Sequence, residues 1–288
     1  MKKFHGDLLM LLSLLAADGA GVYIYGRHFL INVLVTAAVC AVLDLVLTVA
    51  RAERVEPFDV KGICTGLAIA GMVSPAADLK ICLYGAVFAV CVRHITGDIF
   101  PGAAAGYIFA ELSFPAEVLR YPRPVRLDAA APDMLIRSGD LAAYRDNASA
   151  LELLIGRVPG PPAAASAVLI AVCAAALIFS RKASPAVILA GALPVIVSVM
   201  QSGAAGAAYL GGMYLYVLVF IIADRDYLPQ KKASRLIYGI AVSLLYMMIS
   251  NISEVSFPIV YAAILAAPFR FMERAEEKAA KTVQEGVE

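Results

Sequence analysis

Ten stretches of this chain are almost wholly apolar, and charge, Pro or Gly separates each from the next. They cover about 7–25, 28–50, 60–75, 79–95, 99–114, 162–180, 184–201, 205–223, 235–250 and 255–271. Continuous apolar runs of this length predict transmembrane helices, although several fall short of the roughly 20 residues a full crossing needs. The fifth is the weakest, with Pro101, Gly102 and Gly106 at its start. Short, Gly-rich segments are tolerated at membrane depth only when buried in protein or lining a cavity. The third and fifth segments are therefore the candidates for lining something. Met1-Lys2-Lys3 followed by Leu8–Leu15 imitates a secretory leader, with Ala16–Ala20 as a poor cleavage site. Nine further apolar segments make an uncleaved first span the better reading.

Composition agrees with the pattern. Of 288 residues 61% are hydrophobic and 16% charged, with a mean hydropathy of +0.79. A soluble domain carries about 25% charged residues, so an ordinary cytosolic enzyme is excluded, as is a disordered chain. A net charge of +1 without a basic tract leaves no electrostatic footprint for nucleic acid. The expected surroundings are a lipid bilayer and partner proteins.

Orientation follows from Lys and Arg. With the N-terminus inside, 16 of the 24 fall in inner segments, and six of the other eight lie in one outer loop of about 47 residues. Long loops obey the positive-inside rule weakly, so both termini are placed in the cytoplasm. The expectation is an all-α integral membrane protein of about ten helices in the plasma (inner) membrane. Residues 1–114 form a first five-helix half, 115–161 an outer loop, 162–272 a second half and 273–288 a cytoplasmic tail. An odd number of spans per half makes the halves inverted, if they are related.

Ionisable groups at membrane depth are functional suspects. Asp44 sits well inside the second span, where a carboxylate costs roughly 2.5–3.5 kcal/mol unless paired or protonated. It is either part of an ion path or one partner of a buried bond. Asp18 reads as a turn or interface residue, Glu111 as reaching the outer interface, and Asp7 and Asp224 as acids at inner helix ends. Asp98 reads first as the N-cap of the fifth helix and second as a cation ligand. The five cysteines form no C-x-x-C pair and read as small apolar packing residues. No Walker loop, dinucleotide fingerprint, zinc spacing or nucleophile elbow is present.

Several blocks are similar to a known family. Asp59-Val-Lys-Gly-Ile-Cys-Thr65-Gly66-Leu67, ended by Pro75, resembles the third-helix start of the RnfD/NqrB family. Its members are membrane components of the Rnf complex and of the sodium-pumping NADH:quinone oxidoreductase. Arg93-His94, Gly97-Asp98-Ile99-Phe100, Ala103–Gly106 and Ser113-Phe114-Pro115 resemble its next block. Gly156–Gly160 with Ser166, and Gly211-Gly212 through Asp224 to Arg235 and Gly239, follow in the family's order.

The resemblance implies a membrane component of a redox-driven complex that moves Na+ or H+, carries electrons through flavin and works only beside other subunits of a membrane electron transport chain. It points to Thr65, Gly66, Arg93, His94 and Gly106 as flavin-binding residues. The same comparison makes Asp44, Asp224 and Asp98 ion-path residues. Arg93 could instead be an inner-leaflet anchor, and Gly62-x-x-x-Gly66 and Gly102-x-x-x-Gly106 fit close helix packing equally well.

Departures from the pattern narrow this. After Asp128-Ala129, where the family carries the threonine that bonds FMN, this chain has Met134, and a thioether offers no hydroxyl to phosphorylate. The outer loop contains no threonine at all. Covalent FMN is thus excluded at that position, and any FMN or riboflavin would be held non-covalently. Pro101-Gly102-Ala103 and Ala163-Ala164-Ala165 replace more polar family segments. Two alternatives stand beside the electron-carrying subunit: a redox-inactive structural or ion-conducting paralogue, and an unrelated inverted-repeat transporter.

Overall fold

The computed structural model describes residues 2–51, 60–120, 160–202, 212–253 and 255–269. Among these the chain is helical, with a single isolated β-bridge between Ala183 and Asp224. Each of the ten apolar stretches contributes a helix. In chain order these are α1 (Lys2–Tyr25), α2 (Arg27–Ala50), α3 (Lys61–Met72), α4 (Leu79–Thr96) and α5 (Gly102–Ser113). After residues 115–161 come α6 (Ala167–Phe179), α7 (Pro185–Gly191 and Leu193–Ser202), α8 (Met213–Val217, running on as a π-helical turn Leu218–Ile222), α9 (Lys232–Ile252) and α10 (Pro258–Ala266). Most of the 115–161 loop, including Met134, and the tail beyond residue 269 lie outside the described residues.

Among the described residues four helices, α1, α2, α4 and α9, are long and apolar enough to cross a membrane. Their large apolar side chains Leu12, Leu34, Val42, Leu45, Val87, Leu244 and Met248 are exposed, as lipid-facing positions would be. The other helices are short for physical reasons. Pro101 and Pro258 start α5 and α10, where a missing N–H costs nothing. Pro194 interrupts α7 one residue after Leu193 begins its second half.

The halves share a layout. Each has a short helix (α3, α8), a long one (α4, α9), a Phe-Pro pair (Phe100-Pro101, Phe257-Pro258) and a second short helix (α5, α10). The two final helices pack against each other. Tyr107 of α5 meets Phe257 edge-on at 6.3 Å, and the Tyr261 hydroxyl donates to Glu111 at 3.2 Å. Glu111 is therefore buried beneath α10 rather than reaching an interface.

Glycines let the short helices approach their neighbours. A Cβ at Gly66 would stand 2.6 Å from the Ala37 Cα on α2, and one at Gly106 would stand 2.4 Å from the Gly85 carbonyl on α4. Both glycines are taken up by helix–helix contact.

Candidate functional site

One end of the bundle collects buried charge into two clusters. The first belongs to the N-terminal half. Asp44 of α2 and Arg93 of α4, both buried, form an ion pair through the arginine Nη2. His94 Nε2 reaches the same carboxylate oxygen at 2.6 Å. Arg93 Nη1 also donates to the Thr65 hydroxyl at 3.3 Å, and its Nε lies 3.2 Å from Asp98. Lys61, at the start of α3, holds the other Asp98 oxygen at 3.3 Å.

Asp98 reaches this position because the chain leaves α4 through two successive left-handed residues, Gly97 (φ +62°) and Asp98 (φ +59°). Glycine takes that conformation freely, and Asp is among the few other residues that tolerate it. Pro101, not Asp98, precedes α5. Asp98 is thus an ion-pair residue, and the N-cap reading is corrected.

The second cluster belongs mainly to the C-terminal half. Lys182 Nζ lies 2.6 Å from Asp7, 2.7 Å from Asp226 and 3.4 Å from Asp224. Backbone bonds set this up: the Ser184 N–H donates to the Ala223 carbonyl and the Arg225 N–H to the Lys182 carbonyl. They lay the turn after α6 against the turn after α8, with Lys182 over Asp224.

Burial pushes the Asp224 carboxyl up to about 6, against the opposing pull of Lys182. Burial works to lower the Lys182 ammonium, but Asp224, Asp226 and Asp7 outweigh it and hold the ammonium above its ordinary range.

Between the clusters lies a cavity of about 60 Å³. Asp7, Met10 and Leu14 of α1 line it, with Lys61, Cys64, Thr65 and Ala68 of α3, Gly102 and Ala103 of α5, and Phe220, Ile221 and Asp224 at the end of α8. The expected lining role of the third and fifth helices is met in both. The π turn brings Phe220 and Ile221 to the wall, a local irregularity often found at functional sites.

The structure thus joins Asp44, Thr65, Arg93, His94 and Asp98 in one network and sets Asp224 across the cavity from it. Gly66 and Gly106 stand apart, packed against α2 and α4. Lys61, Lys182 and Asp226 were missed as site residues. In sequence the two lysines count only as positive charge on the inner side, although a lysine between apolar helices next to aspartates is a signal of pairing.

A flavin does not fit this arrangement. The cavity is well below the 300–1,000 Å³ of small-molecule sites. Arg93 and His94 are committed to Asp44, and the two glycines adjoin helices rather than open space.

Fold and site together define a multi-pass, helical membrane protein with charge pairs from both halves around a shared cavity. The chain belongs to the NQR2, RnfD, RnfE family, whose sequence pattern matches residues 5–272. It is similar to proteins named as the D-type subunit of the ion-translocating oxidoreductase complex. Those of Salmonella typhimurium and Salmonella heidelberg are 26% identical over 135 residues, 44% of this chain and 38% of theirs. That of Salmonella newport is 25% identical over the same length. The matched stretch thus spans under two-fifths of these relatives.

Proposed function

We propose that this chain is the D-type membrane subunit of a redox-driven, ion-translocating oxidoreductase complex in the plasma membrane, and that it supplies part of the cation path. In this reading it has ten spans in two inverted five-helix halves, with both termini and the charged end of the bundle on the cytoplasmic side. The electron donor and acceptor belong to other subunits.

The cavity carries the reading. Its walls hold four acids (Asp7, Asp98, Asp224, Asp226) and two bases (Lys61, Lys182), a formal balance of −2. Such a lining concentrates cations and repels anions. Asp224 exchanges a proton near neutral pH because burial has raised it to about 6, so the cavity can accept and release H+ or bind Na+ at carboxylate oxygens. Lys182 keeps the surrounding acids from repelling one another when all are ionised.

Flavin enters no step of this reading. The small size of this cavity, with Met134 at the expected acceptor position, favours the flavin-free, ion-conducting variant of the family. Flavin content of the purified protein separates the variants. Fluorescence that stays with the denatured polypeptide, or flavin in the acid-released supernatant, would restore an electron-carrying role. The wider proposal is tested in inverted membrane vesicles carrying the whole complex. Asp224→Asn is expected to leave the subunit assembled and to lower redox-driven cation uptake at least tenfold. Unchanged uptake would remove this cavity from the path.

A further inference from the structure

Asp18, which the sequence presents as a turn or interface residue, is 2% exposed in the last third of α1, and neither carboxylate oxygen has a hydrogen-bond partner. The Tyr216 hydroxyl of α8 is buried beside it and is also without a partner. A Cβ placed on Gly71 of α3 would stand 2.7 Å from Asp18 Oδ1, 3.0 Å from the Tyr216 hydroxyl and 2.5 Å from Ala163 Cβ. Two lone polar groups therefore converge on the same point of α3, an approach that is possible because residue 71 has no side chain. Among the described residues no base is found beside the pair: α3 and the 162–164 turn bring Gly71 and Ala163, and α8 brings the phenol, with the thiols of Cys64 and Cys173 near that phenol.

The position of this pair relative to the cavity gives it meaning. On α1, Asp7, Met10 and Leu14 line the cavity, and Asp18 is the next residue on that face at i+4. On α3, Lys61, Cys64, Thr65 and Ala68 line it, and Gly71 follows at i+3. On α8, Phe220 and Asp224 line it, and Tyr216 lies four residues before Phe220, its ring 4.9 Å from that of Phe220. Asp18, Gly71 and Tyr216 are thus the next rung of the three helix faces that build the cavity wall, about one helical turn beyond its apolar ceiling. Past them the seam closes, because a Cβ on Gly21 would stand 2.6 Å from the Phe29 ring and 2.9 Å from Pro162.

We infer that Asp18 is a proton-binding site within the bilayer, loaded from the charged cavity along the α1–α3–α8 seam. A proton leaves the Asp224 carboxyl through cavity water, and an O–H bond forms at an Asp18 oxygen. The negative charge passes to Asp224, beside the Lys182 ammonium. With neither carboxylate oxygen bonded and no base beside it among the described residues, Asp18 rests as the neutral acid, and the Tyr216 hydroxyl is placed to accept its hydrogen bond. A dehydrated Na+ would need more oxygens than a carboxylate and a phenol supply, which favours the proton. The inference deepens the proposed cation path and rests on it for the direction of transfer, but the state of Asp18 is testable in the isolated chain.

The test is infrared spectroscopy of the purified full-length protein in lipid at pH 8, where Asp224 is ionised and silent in the protonated-carboxyl region. The difference between wild type and Asp18→Asn is expected to contain the carbonyl band of a protonated carboxyl. That band should shift within minutes of transfer to D2O, change frequency in Tyr216→Phe and be moved rather than lost in Asp18→Glu. Adding Na+ should leave it in place. Lack of the band in wild type would mean an ionised Asp18, and a band that resists deuterium for days would mean a sealed one. Either result overturns the proposal, as does loss of the band on adding Na+. None of these readouts uses the complex, so they succeed or fail separately from the transport assay on Asp224.

Discussion

The Lys182 ammonium donates to the Asp7 carboxylate at 2.6 Å across 175 positions of sequence. It thereby ties the beginning of the first half to the first turn of the second. The same nitrogen also holds Asp226 and lies beside Asp224, so one buried lysine organises three acids. Removing it takes away the one charge that the three acids share and leaves them repelling one another.

Lys182→Met is accordingly expected to destabilise the protein by about 3–5 kcal/mol, the usual cost of deleting one partner of a buried ion pair. Thermal unfolding in detergent would check it. Adding Asp224→Asn to Lys182→Met should recover part of the loss, because the double variant removes a repelled charge. Purely additive losses would argue against the cluster acting as a unit.

The pH dependence has a defined sign. The folded Asp224 carboxyl titrates near 6 against an ordinary value of 3.8, so between those values the folded state holds more protons than the unfolded one. Stability from this group is fully present below about pH 4 and is lost as pH rises through 6. Wild type should therefore lose stability relative to Asp224→Asn over that window. Parallel curves for the two proteins would show that Asp224 does not titrate there.

Arg93→Gln should weaken the fold by several kcal/mol by leaving Asp44 buried against His94 alone. Asp44→Asn with Arg93→Gln should be milder than Arg93→Gln by itself. If Asp44 acted mainly in conduction, Asp44→Asn would instead keep its unfolding midpoint and lose cation uptake in vesicles.

Gly106→Val and Gly66→Ala test whether these glycines serve packing. Both place atoms within 3 Å of a neighbouring backbone, and overpacking of this kind costs about 1–3 kcal/mol. A lowered unfolding midpoint is expected in protein free of any added flavin. Normal stability coupled to lost flavin would reinstate them as cofactor contacts.

Much of the architecture was legible in the apolar pattern, because continuous runs bounded by Pro, Gly or charge leave little freedom about where helices fall. The pattern also marked Ile99–Phe114 as too short and too glycine-rich for an ordinary span, and α5 does line the cavity. Pairing was less legible. Asp44 and Arg93 are 49 positions apart, and nothing local says that α2 and α4 bring them together. Asp98 has the composition of an N-cap, yet two left-handed residues turn it back onto Arg93. Asp18 was hidden by its glycine neighbours, which suggest a turn in sequence, whereas α1 continues unbroken to Tyr25. Lys182 belongs to a turn whose partner, Asp224, arrives only through a two-residue backbone pairing.

The depth of Asp18 has an electrical consequence. Eleven residues of helix separate it from Asp7, about 16 Å along an axis that must cross roughly 30 Å of hydrocarbon. A proton moving from the cavity to Asp18 would then traverse about half of the membrane field. At about 2.3 kcal/mol per elementary charge per 100 mV across the full membrane, loading that site against an inside-negative potential costs about 1 kcal/mol per 100 mV. Occupancy of Asp18 would therefore change roughly sixfold for each 100 mV, making the membrane voltage itself a regulator of this chain.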